Sequence, residues 1–323
     1  MPSTVAPRAV SSLEEVHAAD AFLHRLTPVS WLALVVALLL YLARVGCATR
    51  AWRNIIAAAC PDERVPWRGI FGASTAGMAV SSFVPAKGGE LLRLYLARRQ
   101  VPGASYSTLA ATLAVETILP FVVATGFLVA AVQFNAVPGL SLVPSLRPSS
   151  WVTAHPVVSA LAGLSLIAAA AALAVRLGDQ LSGLGRRVAQ GFAVLGDWRV
   201  YLRRVALWQA LDWVLRLFAL YWFLRAFGLA PSLHNAFSVQ VAQNTSALLP
   251  LTPSGIGTEQ ALIVSNLGGT PAGEALSFGV GMKLALMRVN VIVGFTALLV
   301  MARTLRWRRA LAAEGALTGR RRS

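Results

Sequence analysis

Apolar residues in this chain are concentrated in long blocks. A helix needs about 20 predominantly apolar residues to span the hydrocarbon of a bilayer. Five blocks meet or approach that length, at residues 29–45, 105–132, 152–175, 205–227 and 275–302. Residues 1–28 are polar and mixed in charge, while residues 133–151 are rich in Pro and Ser. The pattern predicts an all-α integral membrane protein with a polar N-terminal tail and an exposed loop between the second and third spans.

Two further apolar stretches, 69–97 and 235–267, do not have the composition of a simple spanning helix. Each begins with small residues, is broken by Pro and Gly, and resumes as a short segment carrying a glutamate, at Pro85–Glu90 and Pro250–Glu259. A broken helix frees backbone groups that hydrocarbon cannot satisfy, so the break must face protein or a water-filled cavity. A kink without function is the simpler interpretation. However, a kink requires neither a Gly pair nor a charge, so we interpret both breaks as functional.

The arginines predict how these segments are oriented. They are concentrated in the stretches 44–68, 98–99, 176–204 and 303–322. Cytoplasmic loops of membrane proteins carry an excess of Lys and Arg. Both ends of 69–97 therefore lie on the cytoplasmic side, which makes this segment re-entrant. The stretch 235–267 is flanked by charge-poor loops and re-enters from outside. The chain is then a multi-pass protein of the cell membrane with a cytoplasmic C-terminus.

This topology divides the chain into two repeats of opposite orientation. Repeat one is 29–132, the connector is 133–204 and repeat two is 205–302, followed by a basic cytoplasmic tail, 303–323. Each repeat consists of a span, a re-entrant broken helical segment and a second span. Inverted-topology repeats, each with a short broken segment, indicate a transport site near the bilayer midplane.

The composition excludes several other classes of protein. The chain has 323 residues, 56% hydrophobic and only 13% charged, whereas a soluble domain has about 25% charged residues. The net charge of +16 does not indicate nucleic-acid binding, because the basic residues stand at the ends of apolar blocks. Cys47 and Cys60 fall in the first arginine-rich stretch and are expected to be reduced. The four histidines lack metal-ligand spacing, so no metal and no cofactor is predicted.

Several ionisable residues fall inside the apolar blocks, where each costs roughly 2.5–3.5 kcal/mol at the centre of a span. They are Lys87, Glu90, Arg93, Glu116, Asp212, Arg216, Glu259, Lys283 and Arg288. Spacings of three and four residues allow Glu90 to meet Arg93 and Asp212 to meet Arg216 on one helix face. Lys283 and Arg288 have no acidic neighbour in sequence, so we expect them to face Glu259, Glu116 or an anionic substrate.

A pocket containing Lys87, Arg93 and Arg288 beside freed backbone would suit a phosphate. Arginine offers fork-shaped donors and lysine a point charge, and the helix N-termini after the breaks add N–H groups. Glu90 and Glu259 either organise these cations or exchange a proton during transport. The sequence does not distinguish between these two roles.

Two motifs resemble a known family. Ser82-Phe83-Val84-Pro85-Ala86-Lys87-Gly88-Gly89-Glu90-Leu91-Leu92-Arg93 is similar to a block of the lysylphosphatidylglycerol synthase transmembrane, or flippase-like, family. The same holds for Pro250-Leu251-Thr252-Pro253-Ser254-Gly255-Ile256-Gly257-Thr258-Glu259, followed by Arg288. The resemblance covers about residues 29–302. It implies a bundle that moves lipids or lipid-linked head groups between leaflets. The soluble synthetase domain is not matched, so no enzymatic activity is predicted.

The predicted site combines the residues carried over from the family with those singled out by their charge. The substrate-binding and translocation residues are Pro85, Lys87, Gly89, Glu90, Arg93, Glu116, Pro250, Gly255, Gly257, Glu259, Lys283 and Arg288.

The leading functional hypothesis is translocation of a phospholipid or lipid-linked anionic head group. One alternative is a membrane-embedded transferase acting on isoprenoid phosphates, which would need paired carboxylates to hold Mg²⁺. The other is a non-transporting accessory subunit of envelope biogenesis. The predicted partners are the anionic lipid substrate, the surrounding membrane lipids, and either a second copy of the chain or an envelope-synthesis protein.

Overall fold

A computed structural model describes residues 29–83, 88–117, 120, 190–192, 198–248 and 257–320, with side chains described up to residue 302. The predicted tail 1–28, loop 133–151 and span 152–175 lie outside these residues, as does most of the second half of 105–132. So do four predicted site residues, namely Pro85, Lys87, Pro250 and Gly255.

All regular structure among the described residues is helical. The helices are α1 (Trp31–Ala59), α2 (Trp67–Ser81), α3 (Gly88–Gln100), α4 (106–117), α5 (Leu207–Ala226), α6 (Leu233–Leu248), α7 (Thr258–Asn266) and α8 (Ala272–Arg320). A short helix, Trp198–Tyr201, and a π-helical turn, Leu202–Ala206, lead directly into α5. This architecture confirms the all-α prediction.

Two of the described helices are long and apolar enough to cross a membrane, Trp31–Ala59 and Ala272–Ala302. Both extend beyond the predicted spans 29–45 and 275–302. In α1, the arginine-rich half that sequence assigned to a loop stays helical. Arginine is a good helix former, and the Arg44 and Arg53 side chains find partners there: Arg44 pairs with Asp212, and Arg53 Nε donates to the Val65 carbonyl at 3.0 Å.

The described residues form two compact units. The first-hairpin unit contains residues 42–117, 198–215 and those from 286 onward, and it holds α2 and α3. The second-hairpin unit contains residues 29–41 and 216–285, and it holds α6 and α7. Each unit includes parts of both predicted repeats.

In the first-hairpin unit, α1 runs antiparallel to the segment that leads into α5. Arg44 Nε lies 2.9 Å from Asp212 Oδ1, and Asn54 Nδ2 donates to the Arg204 carbonyl at 2.6 Å. Between these contacts, Ala51 and Val205 are buried in one apolar cluster. Residue numbers fall along one helix as they rise along the other, so the two chain directions are opposite.

Helices α2 and α3 form a tight helical hairpin. A Cβ added at Gly77 would lie 2.6 Å from the Gly89 carbonyl oxygen, and one added at Gly89 would overlap Ser81 Oγ and the Gly77 carbonyl oxygen. Small residues let membrane helices approach this closely. The small-residue run that looked unusual in the sequence therefore serves to pack the hairpin.

The other face of α2 packs against α8 within the same unit. A Cβ at Gly294 would stand 2.6 Å from the Thr75 carbonyl oxygen, and one at Gly72 would stand 2.7 Å from Met301 Sδ. Seven small residues of α2 are buried: Gly72, Ala73, Ser74, Thr75, Ala76, Gly77 and Ala79. The apolar core beside them includes Trp52, Ile56, Ile70 and Leu109.

Substitution of Gly89 by Ala should open the first hairpin. The added methyl would meet backbone, which cannot move aside as a side chain can, so we expect a loss of about 1–3 kcal/mol from overpacking. Thermal unfolding in detergent measures this as a lowered midpoint. Gly46→Ala is the matched control, because its Cβ would meet only Trp67, at 4.0 Å. Equal midpoints for the two variants would contradict the close packing of the hairpin.

Helices α6 and α7 contact each other and form the second hairpin. Gly257, with φ of 90°, precedes α7 in a backbone conformation that favours glycine. Its N–H donates to Gln260 Oε1 at 2.7 Å, which closes the first turn of the helix. On its other side α7 faces Gly279 of α8, where an added Cβ would lie 3.4 Å from Ile263 Cδ1.

Candidate functional site

In the first-hairpin unit, Arg93 of α3 forms an ion pair with Glu116 of α4. Arg93 Nη2 donates to both carboxylate oxygens, at 2.9 and 2.8 Å. Ser105 positions α4, because its Oγ accepts the Thr108 backbone N–H at 3.1 Å and so caps the helix. Both charged side chains are largely buried.

Trp52 of α1 holds the Arg93 guanidinium from the opposite side. The Cζ of Arg93 lies 3.8 Å from the Trp52 ring centroid, and Trp52 is fully buried. Its Nε1 donates to Thr112 Oγ1 at 3.1 Å, which fixes the ring. Such cation–π contacts contribute about 2 kcal/mol when desolvated. Even so, Arg93 Nε is buried without a hydrogen-bond partner. The Arg93 guanidinium is therefore oriented by Glu116 and Trp52, and its Nε–H remains available to a further acceptor.

In the second-hairpin unit, Glu259 of α7 pairs with Lys283 of α8. Lys283 Nζ donates to Glu259 Oε2, and Gln243 Nε2 of α6 donates to Oε1 at 3.1 Å. Glu259 is only 5% exposed. This pairing confirms one of the partners expected for Lys283 from the sequence.

The two ion pairs occupy corresponding places in their units. In each, the second helix of a hairpin is joined to the helix that follows it, over 23 residues from Arg93 to Glu116 and 24 from Glu259 to Lys283. The charge order is reversed, since the hairpin supplies the cation in one unit and the anion in the other. Each hairpin is thus fastened to the helix that follows it by a largely buried charge pair.

Two same-helix pairings that sequence spacing allows compete with partners on other helices. Arg93 pairs with Glu116 on α4 rather than with Glu90, which is exposed one turn earlier on α3. Asp212 pairs with Arg44 of α1, 168 residues away, at 2.9 Å. Helix spacing shows which residues share a face, whereas a neighbouring helix can offer a closer and more buried partner.

The remaining described site residues have simpler settings. Gly89 makes the close contact of the first hairpin and Gly257 begins α7. Arg288 is exposed on α8. The structure thus brings together Arg93 with Glu116 and Glu259 with Lys283, while Glu90 and Arg288 lie on the surface of the described residues.

Sequence reasoning missed the uncharged residues that orient the charged ones. Trp52 stands in an arginine-rich stretch whose charge predicts a cytoplasmic loop. Gln209 Nε2 donates to the Glu116 backbone carbonyl at 2.8 Å, and Gln243 bonds Glu259. The available signal was the presence of amide side chains in apolar segments, above all Gln240, Gln243 and Asn244.

The long apolar helices, close small-residue packing and buried ion pairs define a helical membrane protein. The chain belongs to the family described as the lysylphosphatidylglycerol synthase transmembrane region, whose sequence profile matches residues 16–294. This confirms the family suggested by the two motifs. No curated protein and no solved structure matches the chain.

Proposed function

We propose that the protein translocates a phospholipid or lipid-linked anionic head group between leaflets, and that each of the two hairpins takes part in the transport. The observation that carries the proposal is the pair of corresponding ion pairs, Arg93–Glu116 and Glu259–Lys283, one at each hairpin. Charges at membrane depth are costly and mark substrate or ion pathways. Membership of a family named for the synthesis of a membrane lipid supports a lipid as the substrate.

Helix lengths support re-entrance of the hairpins. Helices α2 and α3 have 15 and 13 residues, or roughly 22 and 20 Å at 1.5 Å per residue. The hydrocarbon core is about 30 Å thick. Neither helix spans it, so a hairpin that enters from one face places its break inside the membrane. The 16-residue α6 and 9-residue α7 support the same conclusion for the second hairpin.

Helix directions support inverted repeats. Helix α1 and the segment leading into α5 begin the two predicted repeats, and their contacts in the first-hairpin unit are antiparallel. The similar spacing of the two hairpin ion pairs agrees with a common repeat plan.

Arg93 is the described residue best prepared to bind an anion. Its Nη2 is held by Glu116 and its face by Trp52, while Nε has no acceptor. A phosphate oxygen would satisfy that donor and compete with Glu116 for the rest of the guanidinium. Lys87 and Arg288 are the further cations that the proposal assigns to the head group. Exchange between carboxylate and phosphate lets the substrate leave again, because Glu116 takes back the cation.

Reconstitution in liposomes containing fluorescent phosphatidylglycerol tests the proposal. Wild-type protein should bring inner-leaflet lipid within reach of an external quencher. Lys87→Ala and Arg288→Ala should each slow this exchange about tenfold, since a hydrogen bond to a charged group is worth about 1.5–3 kcal/mol. Absence of exchange with every anionic lipid and lipid-linked sugar would refute translocation and favour a transferase or an accessory subunit.

Cysteine labelling tests the topology. Arg99→Cys, at the end of α3, and Asn235→Cys, at the start of α6, should react with an impermeant maleimide from opposite faces of the membrane. The background lacks Cys47 and Cys60. Burial, followed by the charge of Glu63, raises the pKa of the Cys60 thiol and already slows its reaction. Labelling of both positions from the same side would rule out inverted repeats.

A further inference from the structure

A row of amide side chains follows the inner side of the second hairpin. Gln240, Gln243 and Asn244 share one face of α6, at spacings of three and four residues. On α7, Asn266 stands seven residues after Glu259 and so shares its face. The Gln243–Glu259 bond sets the register of the hairpin. Two antiparallel helices in that register would place Gln240 and Asn266 roughly 6 Å apart along the helix axis, at 1.5 Å per residue.

Several polar atoms of this row are buried without a hydrogen-bond partner. Gln240 Nε2 donates to Asn244 Oδ1 at 2.8 Å, which leaves Gln240 Oε1 and Asn244 Nδ2 unpartnered. Both side-chain polar atoms of Asn266 are also unpartnered. Gln240 is fully buried and Asn266 is 7% exposed. A buried unsatisfied polar group destabilises the folded state, so each of these atoms requires an explanation.

The mixture of donors and acceptors indicates the chemistry of the missing partner. An ionised phosphate only accepts, so it cannot satisfy Gln240 Oε1 or Asn266 Oδ1. An ammonium group only donates, so it cannot satisfy Asn244 Nδ2 or Asn266 Nδ2. A hydroxyl both donates and accepts. One hydroxyl can bridge the free atoms of Gln240 and Asn244, and a second can bind Asn266.

We propose that this amide row, Gln240, Asn244 and Asn266, binds the hydroxyl groups of a polyol or glycosyl head group on the translocated lipid. The assignment rests on the proposed function and concerns only the hydroxylated part of the lipid, which the second hairpin recognises. Glu259 and Lys283 neutralise each other beside the row, which suits an uncharged part of the ligand.

Lipid binding to the full chain in detergent, measured by native mass spectrometry, tests the assignment independently of transport. Phosphatidylinositol carries several hydroxyls, and phosphatidylethanol has the same singly charged phosphodiester with no polyol. We expect wild-type protein to retain phosphatidylinositol about tenfold better, a difference of 1.4 kcal/mol that two added neutral hydrogen bonds can supply. In Gln240→Leu and Asn266→Leu, the ratio of the two retained lipids should fall toward about one.

Thermal unfolding of the same variants separates a ligand-binding role from a structural one. Without lipid, Asn266→Leu should raise the unfolding midpoint by about 2 °C, because it removes unpartnered polar atoms. Asn235→Leu is the matched control. That amide donates to the Ala230 carbonyl at 3.0 Å, so its loss should lower the midpoint and leave the lipid ratio unchanged.

Equal retention of the two lipids would overturn the assignment. So would a ratio of the two retained lipids that Gln240→Leu and Asn266→Leu leave unchanged. Both results are expected if water, rather than lipid hydroxyls, fills the row. Selective binding of phosphatidylinositol without leaflet exchange would instead refute only the proposed translocation. Exchange of anionic lipids without any preference for hydroxyls would refute only the amide assignment.

Discussion

Replacement of Arg93 by Met together with Glu116 by Leu is expected to abolish most leaflet exchange while the protein stays folded. A buried ion pair can often be replaced by apolar side chains of similar volume at little cost in stability. Translocation, in contrast, loses the cation that offers its Nε to the head group. A hydrogen bond to a charged group is worth about 1.5–3 kcal/mol, so exchange of phosphatidylglycerol should slow by about tenfold or more.

The chain offers a matched control for this double variant. Arg44→Met with Asp212→Leu removes an ion pair of similar burial that joins α1 to α5 and includes no residue of either hairpin. It should retain exchange within about twofold of wild type, as expected for an interaction outside the pathway. If both double variants lost exchange equally, Arg93 and Glu116 would be one more structural pair rather than part of a pathway.

The largest expected loss of stability comes from removing Lys283 alone. Lys283→Met leaves the Glu259 carboxylate, 5% exposed, without its cation. Breaking a buried pair in this way costs about 3–5 kcal/mol. The unfolding midpoint in detergent should fall well below that of any other single variant proposed for this protein. Gln243 remains as a hydrogen-bond donor to Oε1 but cannot neutralise the charge.

Adding Glu259→Gln to Lys283→Met should restore most of the stability, because the unpaired charge is removed. Exchange should stay low in this double variant if the charge pair takes part in translocation. Recovery of both stability and exchange would assign Glu259 and Lys283 a purely structural role. A small effect of Lys283→Met by itself would show that Glu259 is neutral or hydrated in the folded protein.

Composition and motifs predicted the helical membrane class and the family, because both depend on local sequence. Long apolar blocks predict α1 and α8, and Pro and Gly mark the breaks between the helices of each hairpin. The same local patterns placed the end of α1 too early. The arginines of its second half find partners on distant segments, such as Asp212 and Val65, which hydropathy along the chain does not reveal.

The pairing of charges could be predicted only in part. The search for Lys283's partner succeeded because few carboxylates occur in apolar segments, and Glu259 is one of them. For Arg93, the sequence leaves both Glu90 and Glu116 within plausible reach, and only the packing of α3 against α4 and Trp52 selects Glu116. Gln209 and the amide row were overlooked because neutral polar residues in apolar segments carry no charge signal.

Head-group selectivity of exchange is the most direct test of the central claim that the hairpins carry an anionic lipid. Fluorescent phosphatidylglycerol and phosphatidylcholine, in otherwise identical proteoliposomes, should differ in exchange rate by about tenfold in favour of the anionic lipid, a difference of 1.4 kcal/mol. In Arg93→Met with Glu116→Leu the two rates should become equal. Equal rates in the wild-type protein would contradict the account.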